Sequence, residues 1–511
     1  MLHIHEEAAR CLLCEDAPCT KACITGDPAR AIRAIRFDNI KNAGRWVAQC
    51  TDADLERAEQ ACIHYDQPIR IRELLGSACR DAAASSVCRD AAASSACCDA
   101  AASSVCCDAI ATPPSSAPSL AITFCGIHCE NPFFLASSAV CTNYEMVARA
   151  FEMGWGGVFY KTICKQDIRE VSPRFDAIKE GTSFAGFRNM EQLSENPYEV
   201  DFDILKRLKQ NYPKKVVIAS IMGQFEEEWV ELAQMAEFTG CDAVELNFSC
   251  PQMRVAGMGS DVGQDNELVT AYTAYVKQHV HIPVIPKMTP NITHMKEPAM
   301  GAYFAGADAV SAINTIKSVT FTPEAEVSEK KTISGYSGRA VKPIAQRFIL
   351  ELAQNHIMKG LELSGIGGIE TWRDALEYIQ IGCRNVQVCT VVMQYGYRII
   401  DDLILGLQTY MAERSIERLE DIVGEQLPSF VQPSELDRNT MVLPKIDREK
   451  CMGCGRCHIS CSDGGHQAIT FDLNTRQPHI IGTKCVGCHL CRLVCPTGAI
   501  GLSKRFTKKE K

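Results

Sequence analysis

Two cysteine runs near the C-terminus constrain this chain more than any other feature. Cys451, Cys454, Cys457 and Cys461 follow a C-x2-C-x2-C-x3-C spacing. Cys485, Cys488, Cys491 and Cys495 repeat it, with Pro496 directly after. Two-residue gaps let a tight turn wrap three thiolates around one face of an iron–sulfur cube. In a double run the fourth cysteine of each ligates the other run's cube. The spacing therefore predicts one 4Fe-4S cluster on Cys451, Cys454, Cys457 and Cys495, and a second on Cys485, Cys488, Cys491 and Cys461. Zinc and disulfides are the competing uses of eight thiols, and this doubled spacing suits neither. A chain that folds around two such cubes moves electrons one at a time.

The 511 residues have room for about three domains. A net charge of -9 gives no electrostatic reason to expect nucleic acid. No apolar run reaches about 18 residues, so no membrane span is expected. The start, MLHIHEEAARC, carries acidic residues and no apolar segment, which does not read as a secretory signal. Twenty-eight cysteines without an export signal point to a reducing cytoplasm and to metal ligation.

A further set opens the chain. Cys11, Cys14, Cys19 and Cys23 are spaced C-x2-C-x4-C-x3-C, with Cys50 and Cys62 beyond them. The intervening AIRAIRFDNIKNAGRWVAQC has helical periodicity. Residues 1–76 thus read as a small α-helical iron–sulfur domain, with a zinc-stapled helical domain as the alternative. Residues 77–112 are a tandem nine-residue repeat, SACRDAAAS and its variants, followed by TPPSSAPS. So small and polar a stretch cannot bury a core, and residues 77–118 read as a linker.

From 119 to 430 the pattern changes to apolar strands alternating with amphipathic helices. Eight strand candidates recur: NPFFLASSAV, GGVFYKT, KVVIASIMG, DAVELNFSC, IPVIPKMTP, ADAVSAINT, GLELSGIGG and NVQVCTVV. Eight strand–helix units in about 290 residues are the size and rhythm of a TIM (β/α)8 barrel. A doubly wound sheet is disfavoured because no G-x-G-x-x-G follows an early strand. A helix, IERLEDIVG, is expected after the barrel. A polar connector then leads into a C-terminal ferredoxin-like α+β domain over 431–511.

In such a barrel the C-terminal strand ends carry the chemistry. Lys161 ends the second strand, Asn247, Ser249 and Cys250 the fourth, and Lys287 the fifth. Asn314 and Thr315 end the sixth, Gly367 and Gly368 the seventh, and Cys389 and Thr390 the eighth. A lysine at a strand end can neutralise the electron-rich edge of a reduced flavin. Glycines after the seventh strand let backbone N–H groups approach a phosphate. Asparagines offer paired donors and acceptors that suit a small planar amide such as a pyrimidine. Cys250 opens SCPQMRVAGMGSDVGQD, which reads as a mobile active-site loop with a general acid or base at its root.

These residues resemble the dihydropyrimidine dehydrogenase family, above all the catalytic subunit of its bacterial NAD-dependent members. The resemblance runs through ENPFFLASS, GFRNMEQLSE, NFSCPQM, MGSDVGQ, KMTPNI, AINTI, SGYSGRAVKPIA, SGIGGIETW and both ferredoxin motifs. It implies FMN on Ser137, Lys161, Lys287, Gly338, Gly367, Gly368, Cys389 and Thr390. It implies pyrimidine contacts from Asn189, Asn247, Ser249, Asn314 and Thr315, and Cys250 as the catalytic cysteine. The implied reaction is reversible reduction of the C5–C6 bond of uracil or thymine, with a hydride to C6 and a proton from Cys250 to C5. The N-terminal stretch is similar to the helical iron–sulfur domain of the partner subunit. There the resemblance implies one cluster on Cys11, Cys14, Cys19 and Cys62. The family's second set is incomplete: Cys23 and Cys50 remain, and Leu75 stands where the family uses glutamine. With no Rossmann fingerprint, electrons from NAD(P)H are expected through a partner FAD-binding flavoprotein, in a homodimer or heterotetramer. A dihydroorotate dehydrogenase and a non-catalytic electron-transfer subunit are the competing readings.

Overall fold

The computed structural model describes residues 4–78, 117–253, 255–321 and 330–507. The repeat from 79 onward, and with it the linker expectation, lies outside the described residues. The chain divides into two compact units, Met1–Leu427 and Pro428–Lys511.

The first unit is built on a closed barrel of eight parallel strands. In chain order they are β1 Phe133–Leu135, β2 Gly157–Phe159, β3 Val216–Ile221, β4 Ala243–Asn247, β5 Val284–Lys287, β6 Ala309–Ala312, β7 Glu362–Ile366 and β8 Cys383–Val388. The first seven fall inside the segments expected from the sequence, and β8 begins two residues before its expected segment NVQVCTVV. Neighbours in sequence are neighbours in space, and β8 closes on β1 through the pairs Val386–Phe133 and Val388–Leu135. The strands are almost wholly buried because helices cover them outside and side chains fill the centre, so they read as continuous apolar runs. The centre is not wholly apolar. Ser220, Glu245, Ser311, Ser364 and Gln387 are all at most 1% exposed. A hairpin of Ile122–Phe124 and Ile127–Cys129 precedes β1. A second sheet, antiparallel, joins Phe175–Glu180, Ser183–Asn189, Ser334–Ser337 and Ile316–Ser318. The eight-unit rhythm gave no sign of this sheet, because its strands are insertions after β2 and β6. The segment IERLEDIVG, expected as a helix, forms only a 3-10 turn at Leu419–Ile422. Its Leu419 and Ile422 are nonetheless buried in the core.

The N-terminal helices belong to the same unit. They are α1 Ile4–Arg10, α2 Pro18–Ala22, α3 Pro28–Arg36, α4 Ile40–Ala43 and α5 Asp52–Gln60. Pro28 at the first turn and the Asp27 side chain accepting from the Arg30 N–H start α3. Thr51 and Asp54 form a capping box on α5. One apolar core runs from these helices into the barrel. The α3 arginines fasten it to the barrel's last long helix, Ile400–Glu413. Arg33 Nε lies 2.7 Å from Asp402 Oδ2 and its Nη2 3.2 Å from Asp401, while Arg30 Nη2 is 2.8 Å from Asp401. Burial holds the Asp402 carboxyl above its usual range, and Arg33 draws it back. Arg33→Ala is expected to cost about 3–5 kcal/mol, because it strands a buried carboxylate. Lys41→Ala breaks only an exposed pair with Glu413 and is expected to cost less than about 1 kcal/mol. Thermal unfolding of the two variants checks the ranking.

The second unit is a small α+β fold. Pro444–Ile446 pairs antiparallel with Ile500–Leu502, and Ile469–Asp472 with Gln477–Ile480. Helix Arg456–Gly464 carries Cys457 and Cys461 of the first cysteine run, and Leu490–Leu493 carries Cys491 of the second. Its core is Cys457, Ile469, Cys491 and Ile500, flanked by Ile446, Cys461, Ile480 and Cys495. Half of that core is thiol, so the apolar residues alone are too few to hold the unit together. Among the described residues no helix is long and apolar enough to cross a membrane.

Candidate active site and cluster cradles

The C-terminal strand ends of the barrel open into a cavity of about 1000 Å³. Ser137, Lys161, Asn189, Cys250, Lys287, Asn314, Thr315, Gly338, Gly367, Gly368, Cys389 and Thr390 all line it. They come from seven strand ends and the small sheet, which brings Asn189 in from Ser183–Asn189. Asn247 and Ser249 do not line it. They stand behind the wall as a relay: Ser249 Oγ donates to Asn247 Oδ1 at 2.7 Å, and Asn314 Nδ2 donates to Ser249 Oγ at 2.9 Å. Asn247 Nδ2 in turn donates to Thr162 Oγ1 at 2.8 Å. The chain of bonds fixes the rotamer that Asn314 presents to the cavity.

Two buried lysines sit on the floor. Lys161 Nζ is 3.3 Å from Glu191, and Lys287 Nζ is 3.4 Å from Glu245. Glu245 also accepts from Ser220 Oγ at 3.0 Å. Gln387 Nε2 donates to Ser311 and Ser364 at 3.1 and 2.9 Å. The Gln387 Oε1 is buried without a partner while its residue lines the cavity. The sequence reading missed Glu191, Glu245 and Gln387. A signal was present: Glu245 and Gln387 are each flanked on both sides by apolar residues within buried strands, and Glu191 lies two residues past Asn189, on the same side of an extended chain.

At the far end the backbone itself forms the wall. Gly338, Gly367 and Gly368 take φ of +91°, +131° and +67°. A Cβ on Gly368 would fall 2.8 Å from Lys342 Cβ and 3.0 Å from Gly338 O. Only glycine lets the two loops close on each other, at the start of the helix Lys342–Ala353. This cradle of backbone N–H groups, the two floor lysines and the unpartnered Gln387 oxygen fit a phosphorylated flavin such as FMN.

Cys250 lines the cavity and is 4% exposed. Burial pushes its thiol up to about 11, while the Gln252 backbone and the lysines Lys161 and Lys287 draw it down. It is therefore a thiol at neutral pH and holds a proton to give. The loop behind it is pinned by Gln252, which donates to Glu191 O at 2.6 Å and accepts from the Gly335 N–H at 3.0 Å.

The remaining cysteines ring smaller cavities. Cys461 of the first C-terminal run lines one of about 340 Å³ with Cys485, Cys488 and Cys491 of the second. Cys11, Cys14, Cys19 and Cys62 line another of about 380 Å³, walled by Ile32, Ile63, Ile69 and Ile71. Among the described residues no group of three or more His, Cys, Asp or Glu side chains is placed to hold a single metal ion. Thiols spread around a cavity suit a cube better than one zinc. Cys451, Cys454, Cys457 and Cys495 line neither of these cavities; Cys457 sits in the core of the second unit and Cys495 packs against it.

Residues 119–411 match the dihydroorotate dehydrogenase family model, and residues 444–502 match the 4Fe-4S dicluster domain. Fold and site thus define a flavin barrel of that type joined to a dicluster domain, which implies FMN and two 4Fe-4S clusters. Three relatives narrow the class. The chain is 50% identical to the NAD-dependent dihydropyrimidine dehydrogenase subunit PreA of Escherichia coli K12 over 400 residues, 77% of this chain and 97% of that protein. It is 37% identical to the chloroplastic NADP(+) dihydropyrimidine dehydrogenase of Arabidopsis thaliana over 346 residues, 64% of this chain and 81% of that protein. It is 35% identical to the catalytic subunit of the NAD(+) dihydroorotate dehydrogenase B of Pyrococcus furiosus over 313 residues, 60% of this chain and 98% of that protein. The chain belongs to the family of the NAD-dependent dihydropyrimidine dehydrogenase subunit PreA.

Proposed function

We propose that this chain reduces the C5–C6 double bond of uracil or thymine to the 5,6-dihydropyrimidine, reversibly. The observation that carries the reading is the polar end of the cavity. Asn189, Asn314, Thr315 and Glu191 line it, and among the described residues the cations in the lining are Lys161 and Lys287, each already ion-paired. Alternating donors and acceptors match the amide edge of a neutral pyrimidine. The carboxylate of orotate would need a free cation, which the described residues of the lining do not offer.

When bound, FMN supplies the hydride that adds to C6, and the clusters supply its electrons singly. Lys161 and Lys287 would hold the ring, and Gly338, Gly367, Gly368 and Thr390 the phosphate end, with Ser137 and Cys389 also lining the cavity. Asn189, Asn314 and Thr315 orient the pyrimidine, with Asn247 and Ser249 fixing Asn314 from behind. Cys250 Sγ holds the proton delivered to C5. Electrons enter from NAD(P)H through a partner FAD-binding flavoprotein, consistent with the E. coli relative's being named a subunit.

A substrate panel with an artificial electron donor tests the reading. Uracil and thymine should turn over and orotate should not; orotate turnover without uracil turnover overturns it. Cofactor content tests the cradles. FMN without FAD is expected, with about twelve irons per chain if Cys11, Cys14, Cys19 and Cys62 hold a third cluster. Cys62→Ala should then remove about four irons and leave FMN in place.

A further inference from the structure

Two N-terminal cysteines stand outside every cavity described above. Cys23 Sγ and Cys50 Sγ lie 3.2 Å apart. Cys23 is 6% exposed and caps the C-terminal end of α2, one helical turn past Cys19. Cys50 precedes the capping box that starts α5, and its N–H donates to Val47 O at 3.0 Å. The Asp27 N–H donates to Trp46 O at 2.7 Å and holds the two cysteine-bearing segments together. Gly26 makes room for the pair. A Cβ there would fall 2.4 Å from Cys50 Sγ and 2.6 Å from Trp46 O.

Thiols held in this way meet at high effective concentration. A disulfide needs an S–S distance of about 2.05 Å, so about 1 Å of side-chain motion closes the bond. Among the described residues no third ligand joins them: the neighbouring cavity belongs to Cys11, Cys14, Cys19 and Cys62, and neither Cys23 nor Cys50 lines it. We propose that Cys23 and Cys50 form a reversible dithiol–disulfide couple beside the N-terminal cysteine cavity. Its exchange partner is a small disulfide of the glutathione class. The Cys23 and Cys50 S–H bonds break, one S–S bond forms, and the two electrons and two protons leave in the two thiols released from the partner disulfide. The new bond would tie the end of α2, which carries Cys19, to the segment that leads through α5 to Cys62. Two walls of the cavity would then be locked together. The proposal does not depend on which pyrimidine the barrel reduces.

The full chain with its cofactors, equilibrated anaerobically in glutathione buffers of graded redox ratio, acid-quenched, alkylated and digested, gives the test. A Cys23–Cys50 peptide pair should rise in a single two-electron transition. In Cys23→Ser, Cys50 should instead carry a mixed disulfide with glutathione, and iron content should match the unmodified chain. Separate alkylation of both thiols at every ratio overturns the proposal. So does a loss of about four irons in both Cys23→Ser and Cys50→Ser, which would make the pair cluster ligands. Uracil turnover measured on the same samples reports separately on the barrel.

Discussion

Cys250→Ala should slow uracil reduction by about 10²–10⁴-fold, the usual contribution of a positioned general acid, and leave FMN and iron content unchanged. The reason is local. Cys250 lines the cavity as a buried thiol and is not one of the residues assigned to FMN, so its loss removes a proton and leaves those residues in place. The pH dependence follows from the burial that raises the thiol to about 11. In the reducing direction the acid form is required, and it is fully present well below that value. The rate should therefore show no loss from Cys250 between about pH 6 and 9. In the oxidising direction the thiolate is required. Its population, and the rate that depends on it, should rise about tenfold per pH unit over the same range. Steady-state rates in both directions check the pair of profiles. A Cys250→Ala variant with full uracil turnover would remove the cysteine from the chemistry.

Gly368→Ala should release FMN. The residue sits at φ +67°, where an L side chain costs about 1 kcal/mol. Its Cβ would also meet the Lys342 backbone N at 2.9 Å and Gly338 O at 3.0 Å. Neither is the free end of a flexible side chain, so one of the two loops must move away from the phosphate. Each charge-assisted backbone bond lost is worth about 1.5–3 kcal/mol, which weakens FMN binding by about 10- to 100-fold. Flavin absorbance after gel filtration gives the measurement. Iron should be unaffected, since the cysteine cradles lie elsewhere. Stoichiometric flavin in this variant would place the phosphate away from the glycines.

Residues that act where they stand in a regular pattern were legible in advance. Lys161, Lys287, Gly367, Gly368 and Thr390 lie at strand ends, and strand ends are set by an apolar period that can be read locally. Residues whose place depends on a distant partner were not. Glu191 enters the site only because the small sheet folds back over the barrel and brings it to Lys161. Asn247 and Ser249 end β4 as expected, yet they face inward to Asn314, 65 residues beyond Ser249. No spacing rule distinguishes a residue that lines a cavity from one that braces it.

The amino-acid sequence by itself determined the barrel rhythm and the two doubled cysteine runs. Both are short-range patterns: strand–helix alternation selects the layer architecture, and two-residue gaps select the wrap of a thiolate turn. The tertiary structure decided the rest. It docked the N-terminal helices onto the barrel through Arg33 and Asp402, 369 residues apart. It gathered Cys11, Cys14, Cys19 and Cys62 around one cavity and left Cys23 and Cys50 facing each other. Those choices follow from burial. Helices this short cannot cover their own apolar faces, so they pack on the barrel, and that packing fixes which thiols meet.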